Sequence, residues 1–595
     1  MTTPYTKFLF FTGKGGVGKT SLACATAIKI ADEGKSVLLI STDPASNLED
    51  VLQTPVKNEI NPHQEIATLF TINIDPDTAA IEYRERATAP LKGIASQAEI
   101  NKVVEQLSGA CTTEIASFDE FSRFITGESS LKAFDVVIFD TAPTGHTIRL
   151  LELPAAWDNF LDNNPKGASC IGPSSALKSS KARYKKVISS LRDANQTTIF
   201  LVSRPETSSL KEAARTSLEL KALGLINQEL LINGVFKATD KNDPVALKIE
   251  QIVERELAEM PSTLKNLKTQ NFPLLPYNVL GVEKLRSLLD KSIQQKLVNI
   301  DTPNEREFIH PLEDLSTLVS DLEKHSNSGL IMTMGKGGVG KTIIAASIAT
   351  MLAKRGHNVL LTTTDPAANI KDFMAELDEI PETLVIERID PKQETKNYIN
   401  KVIEQKGSNL DEEGKKLLRE DLQSPCSEEV AVFHAFSNAV FRAKKQFVVI
   451  DTAPTGHTLL LLDTTGSYHR EVLKTMDSKK IKTPFMFMQD ATFAKILLVA
   501  LPEATPMREA ESLQNDLRRA GIVPYAWVIN QSLSALKDLK DPVLRKRADS
   551  EVEIINTIKD RLSSRTYGIP YITEEKLLPS ILSRYADTEV SRHIS

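Results

Sequence analysis

Gly13-Lys-Gly-Gly-Val-Gly-Lys-Thr20 and Gly335-Lys-Gly-Gly-Val-Gly-Lys-Thr342 are the same eight residues, written twice in one chain of 595. Each copy follows an apolar run of strand length, FLFF before the first and LIMTM before the second. Each also opens a helix-length segment, SLACATAIKIADEG or IIAASIATMLAKRG, that stops at a glycine, Gly34 or Gly356. Two further blocks recur in the same order. STDPASN at Ser41–Asn47 returns as TTDPAAN at Thr363–Asn369, and VVIFDTAPTGHT ending at Thr147 returns as FVVIDTAPTGHT ending at Thr458. The spacing drifts between blocks, which marks a duplicated domain with insertions. The period is far too long for a solenoid.

Length agrees, since 595 residues exceed what one core can serve. The remaining apolar runs are VLLI, TIFLV and LLING in the first half and VLLTT, KILLVA and AWVIN in the second. They are continuous rather than alternating and are separated by helix-length segments. That pattern predicts an α/β fold: two tandem P-loop domains, each a mostly parallel sheet with helices on both faces. We place the first domain at 1–298, a linker at 299–328 and the second domain at 329–595. Within the linker, Leu312, Leu315, Leu318, Val319 and Leu322 predict a short amphipathic helix that can pack on either domain. Helical insertions are expected at about 75–130 and 390–440.

Composition excludes several classes. The chain is 41% hydrophobic and 25% charged, ordinary values for a globular protein. A net charge of −6 argues against nucleic acid as a partner. No apolar run is long enough to span a membrane, and the start MTTPYTKFLFF is not built as a signal peptide. A cytoplasmic protein is expected, at most peripheral to a membrane. Four cysteines do not make a disulfide framework.

A Gly-x4-Gly-Lys-Thr loop between strand and helix cradles phosphates with backbone N–H groups and the positive end of the helix. Gly13, Lys14, Gly15, Gly16, Val17, Gly18, Lys19 and Thr20 form one such cradle for ATP. Gly335, Lys336, Gly337, Gly338, Val339, Gly340, Lys341 and Thr342 form the other. Lys19 and Lys341 are expected on the β- and γ-phosphates, and Thr20 and Thr342 on Mg²⁺. Asp43 and Asp365 follow strands and can hold the attacking water. Asp140 and Asp451 end apolar strands where a carboxylate supports Mg²⁺ through water. For any Asp after a strand, a helix N-cap is the bland alternative.

The lysine after the first glycine, Lys14 or Lys336, resembles the deviant Walker A loop of the MinD, ParA, nitrogenase iron protein and ArsA/Get group. The resemblance implies that this lysine reaches across a dimer interface, so that two fused domains form an internal pseudo-dimer. It also implies that Asn233 and Asn530, which close later strands, meet the adenine ring. Repeated DTAPTGHT in a fused pair is similar to the arsenite-pump branch of the ArsA/Get family, over 8–290 and 330–590.

The cysteines separate the branches. Cys111 and Cys426 share Cys-x-x-Glu-[Ile/Val]-Ala-x-Phe and so are repeat equivalents; Cys170 has no counterpart, and Cys24 lies where the other repeat has Ala346. Three soft thiolates suit As(III) or Sb(III). The resemblance assigns that site to Cys111, Cys170 and Cys426 and adds His146, His457 and Ser424. It further implies an ArsB-like arsenite permease as membrane partner, with the chain peripheral at the inner face, and a metallochaperone that delivers As(III). Each DTAPTGHT segment runs from an Asp to a His, which offers a route between the two sites. The runner-up is an ATP-dependent targeting factor for tail-anchored membrane proteins. Against it, the chain has no C-x-x-C, and FMFMQ at 485–489 is the single hint of a methionine-rich groove. An iron–sulfur reductase would want two symmetric cysteines per half, and this chain has one.

Overall fold

In a computed structural model of the chain, the described residues are 5–42, 48–89, 96, 100, 104, 110–126, 134–141, 183, 185–300, 312–324, 326–365, 370–406, 425–452, 483–536, 539–574 and 576–592. The chain divides into two compact units. One is Met1–Thr302 with Asp541–Val543, and the other is Pro303–Lys540 with Leu544–Ser595.

The first unit is built on β1 (Phe8–Thr12), β2 (Val37–Ser41), β3 (Asn61–Pro62), β4 (Leu69–Asn73), β5 (Val136–Asp140), β6 (Thr197–Ser203), β7 (Gln228–Val235) and β8 (Lys268–Pro273). Their order is β3-β4-β2-β5-β1-β6-β7-β8. Every pairing is parallel except the short β3 against β4. The second unit has β9 (Gly329–Met334), β10 (Val359–Thr363), β11 (Leu384–Ile386), β12 (Phe447–Asp451), β13 (Ala494–Ala500), β14 (Ala526–Ser532) and β15 (Thr566–Pro570). Its order, β11-β10-β12-β9-β13-β14-β15, repeats the first without β3, and all its pairs are parallel. The duplication read from the motifs is therefore a duplication of topology.

Why the central strands read as unbroken apolar runs is visible in the packing. Phe8, Phe10, Leu38 and Ile40 enter one core cluster, whereas Leu9, Phe11, Val37 and Leu39 enter another. Alternate residues of a strand point to opposite faces, and both faces here are covered by helices, so neither set can be polar. The second unit divides Ile331, Val359 and Leu361 from Leu330, Met332 and Leu360 in the same way.

The helix after each Gly-rich loop, Lys19–Asp32 or Lys341–Lys354, is buried along most of its length. It ends where expected. Gly34 (φ 85°) and Gly356 (φ 91°) take the left-handed turn, and their N–H groups donate to Ala31 O and Ala353 O at 2.9 Å.

Helix Leu315–Glu323, capped by Asp314, buries Leu315, Leu318, Val319 and Leu322 in the core of the second unit. Of the two domains on which this helix could pack, it joins the second. In the insertions, Ala110–Thr126 packs on Pro76–Thr88, and Pro425–Arg442 packs on Pro391–Lys406. The FMFM stretch lies in helix Pro484–Gln489, where Phe487 and Met488 are buried in the core. Among the described residues, no helix is long and apolar enough to cross a membrane.

Candidate functional site

Both Gly-rich loops hang from the C-terminal end of the central strand, β1 or β9, where the sheet order places earlier strands on one side and later strands on the other. Such a switch point opens the crevice that α/β sheets use for ligands. Two glycines fix each loop there. A Cβ at Gly13 or Gly335 would stand 2.2 or 2.3 Å from the carbonyl oxygen of Val202 or Val499 on the next strand. At Gly18 (φ +92°) and Gly340 (φ +91°), a Cβ would meet Asn233 Nδ2 at 2.2 Å or Asn530 Nδ2 at 2.1 Å. These glycines also leave the first turn of the following helix open for backbone N–H groups to face an anion.

Inside the loop the bonding repeats. Lys19 Nζ donates to Lys14 O at 3.2 Å and Lys341 Nζ to Lys336 O at 2.9 Å, and both lysines are buried. Each ammonium thus arches over its own loop. Thr20 Oγ1 donates to Asp140 Oδ2 at 2.8 Å, and Thr342 Oγ1 donates to Asp451 Oδ2 at 2.8 Å. Thr363 Oγ1 also bonds Asp451 Oδ2, at 3.2 Å, and accepts from the Asp365 N–H at 3.0 Å. The half-buried Asp365 is thereby tied through one hydroxyl to the carboxylate of Asp451.

These residues fit Mg²⁺. Among the described residues Asp451 Oδ1 is buried without a hydrogen-bond partner, an arrangement that costs free energy unless a cation or its water completes it. Burial pushes the Asp451 carboxyl up to about 6, with Asp365 adding to the rise and Lys341 and the threonine hydroxyls opposing it. A divalent ion beside Thr342 and Asp451 would reverse that burial penalty.

The two lysines that follow the first glycine differ between the halves. Lys14 Nζ donates to Ser208 Oγ at 3.1 Å, whereas Lys336 forms an ion pair with Glu509. Neither partner was legible as part of the site, because helices Thr207–Ala222 and Ala504–Arg519 carry no motif. Thr141 and Thr452, the second residues of the DTAPTGHT segments, are also more than spacers. Their hydroxyls bond Phe11 O and Thr333 O at 2.8 Å, which pins the start of each segment to the central strand.

Asn233 Nδ2 and Asn530 Nδ2 donate to Val17 O at 3.0 Å and Val339 O at 2.9 Å. Here the asparagines shore up the phosphate loop. Cys111 and Cys426 are each the second residue of equivalent helices, Ala110–Thr126 and Pro425–Arg442. Their side chains lie outside the described residues, as do Asp43, His146, Cys170, Ser424 and His457. Cys24 is fully buried, and burial raises its thiol well above the usual range, which makes it a core residue and a poor thiolate.

Two mostly parallel sheets, each with a glycine-shaped loop, a buried lysine and a Thr–Asp pair at the switch point, define a tandem P-loop ATPase. A family model for anion-transporting ATPases, the ArsA ATPase family, matches residues 6–294 and 328–488. The chain belongs to that family and is an ATPase. It is 49% identical over 573 residues to the arsenical pump-driving ATPase of Escherichia coli, covering 96% of each chain. With the protein of the same name from Acidiphilium multivorum it shares 49% over 572 residues, again 96% of each. ATPase get3 of Schizosaccharomyces pombe is 28% identical over 308 residues, 48% of this chain and 91% of that protein.

Proposed function

We propose that the chain is the ATP-hydrolysing subunit of an arsenite or antimonite efflux pump, activated by trivalent metalloid. The near full-length likeness to two arsenical pump-driving ATPases carries the reading. In each half, Lys19 or Lys341 neutralises the β- and γ-phosphates, and Thr20 or Thr342 with Asp140 or Asp451 holds Mg²⁺, the latter through water. The ion supplies charge neutralisation where negative charge builds up. Asp43 and Asp365 orient the attacking water. Asn233 and Asn530 use their carbonyl ends on adenine while their amide ends hold the loop. Lys14 and Lys336 act on the phosphates of the opposite site, in an internal pseudo-dimer.

Metalloid binds three thiolates, Cys111, Cys170 and Cys426, with His146, His457 and Ser424 as further contacts. The placement of Cys111 and Cys426 at matching helix N-termini supports this, since that position favours a thiolate. The DTAPTGHT segments, anchored by Thr141 and Thr452, couple the sites reciprocally. The pump partner is an ArsB-like permease, to which the chain binds at the inner membrane face from the cytoplasm, and a metallochaperone supplies As(III). The targeting-factor alternative is weaker: the get3 likeness covers 48% of the chain, and Phe487 and Met488 of the FMFM stretch are spent on the core. ATP turnover measured with and without As(III) or Sb(III) tests the proposal. Turnover that neither ion raises would overturn it.

A further inference from the structure

The two halves hold their signature lysines by different means, and the sequence of one helix explains why. Helices Thr207–Ala222 and Ala504–Arg519 are equivalent, both following the strand beside the central one. Their sixth residues are Glu212 and Glu509, and their ninth are Arg215 and Ser512. In the first half, Arg215 takes Glu212 at 2.6 Å, one helical turn away. Lys14 then reaches the neutral hydroxyl of Ser208. In the second half the ninth residue is a serine, and Glu509 forms an ion pair with Lys336. That pair is shielded: the Lys336 side chain is 22% exposed and the Glu509 side chain 11%. Solvent and salt weaken such a pair less than one on the open surface, and a charged acceptor holds an ammonium more firmly than a hydroxyl does.

We propose that Glu509 is an internal counter-ion that parks Lys336, so that the second half releases its signature lysine less readily than the first releases Lys14. The proposal rests on the reading that these lysines act on nucleotide phosphate. A lysine neutralised by a carboxylate cannot at the same moment neutralise phosphate, so turnover through Lys336 counts only the fraction of molecules in which Glu509 has let go. Glu509 is in this sense a positioning residue, and Arg215 and Ser512 are the positions that make the halves unequal.

The test measures steady-state ATP hydrolysis by the full chain without metalloid. Glu509→Gln is expected to raise kcat about three- to tenfold with KM for ATP within about twofold, because the parked fraction is returned to use. Glu509→Asp, which keeps the charge on a shorter arm, should fall between. Ser512→Arg, at an exposed position, gives Glu509 the partner that Glu212 has and should also raise kcat. Arg215→Ser should lower it, as Glu212 becomes available to Lys14. A purely structural role for Glu509 would instead lower kcat or the melting temperature. If Lys336→Ala is slow while Glu509→Gln and Ser512→Arg turn over at or below the wild-type rate, the lysine acts and the parking does not exist. If Lys336→Ala turns over like wild type, the underlying reading of the signature lysines fails instead. Should Glu509→Gln not fold, Ser512→Arg decides alone, and an unchanged kcat there overturns the proposal.

Discussion

Thr342 Oγ1 and Asp451 Oδ2 lie 2.8 Å apart, and the same contact at the same length joins Thr20 to Asp140. The hydroxyl proposed as cation ligand is therefore aimed by a carboxylate from the neighbouring strand. Among the described residues, Asp451 keeps its second oxygen, Oδ1, buried and without a hydrogen-bond partner. Asp451→Asn would retain the shape but lose the charge. Mg²⁺-dependent nucleotide affinity of the second half should fall about 10- to 100-fold, the usual cost of losing an outer-sphere metal partner. Titration of a fluorescent ATP analogue with and without Mg²⁺, in the Lys19→Ala background, isolates that half. An affinity that stays Mg²⁺-dependent would remove Asp451 from the ion's surroundings.

Lys19→Ala and Lys341→Ala should each abolish most metalloid-stimulated turnover, even though each leaves one loop intact. In the proposed internal pseudo-dimer each site would borrow Lys14 or Lys336 from the other half, so neither would work singly. Nucleotide trapping resolved by half extends the test: Lys14→Ala should impair the second half and Lys336→Ala the first. Loss confined to the mutated half would show that the lysines serve their own loops.

Cys111→Ser, Cys170→Ser and Cys426→Ser should each weaken As(III) activation strongly and spare basal turnover. A serine hydroxyl is neither soft nor deprotonated at neutral pH. Loss of the unpaired Cys170 should do less damage than loss of Cys111 or Cys426. Cys24→Ala should change little, since a thiol so deeply buried is held in its neutral form. X-ray absorption of the As-loaded protein should show three sulfur neighbours, and a spectrum with oxygen neighbours alone would refute the site.

Glu551 supplies a pH prediction independent of nucleotide. Its carboxylate accepts from Ser534 N at 2.9 Å and Ser532 Oγ at 3.1 Å, yet burial outweighs these bonds and pushes it up to about 7. The folded pKa is raised, so the stabilising contribution is complete below the ordinary carboxyl range and disappears as pH rises through about 7. Across that window it is on the order of 3 kcal/mol, taken from about 1.4 kcal/mol per pKa unit. The melting temperature of the second unit should therefore fall between pH 5 and pH 8 in wild type. Glu551→Gln should flatten that dependence and stabilise the protein at pH 8. An unchanged slope in the mutant would assign the pH effect elsewhere.

How much of this was legible depended on burial and on distance along the chain. Runs such as FLFF, VVIF and KILLVA announce themselves because both faces of the central strands are covered. The edge strand β8 does not, since most of KTQNFP is exposed and polar. β11 is too short, and Gly568 and Pro570 interrupt β15. At the site, the loops and the individual members of both Thr–Asp pairs were readable from their motifs, whereas the hydrogen bond that joins each pair was not. The contacts of Lys336 with Glu509, Lys14 with Ser208 and Asn530 with Val339 O were not, because each joins residues far apart in sequence and at least one partner lies outside any motif. Asn233 and Asn530 show the limit from the other side: family resemblance pointed to adenine, and the amide nitrogen is also found bracing the loop.

The seating of the Gly-rich loop against later strands also has a bearing on biosynthesis. Phe8 of β1 pairs with Val137 and Thr197, and Gly13 rests on the carbonyl of Val202, so the loop at the start of the chain has no floor until β6 has been made. A nascent chain that has left the ribosome only as far as β5 carries a complete motif and an unfinished cradle. Pairings of such long sequence separation form late and slowly, and the first unit cannot capture nucleotide until most of its length has emerged. During that interval the apolar strands β1, β2 and β5 are unsheltered, and the second unit repeats the exposure, since Gly335 rests on the carbonyl of Val499 in β13 and its loop waits for that strand in the same way.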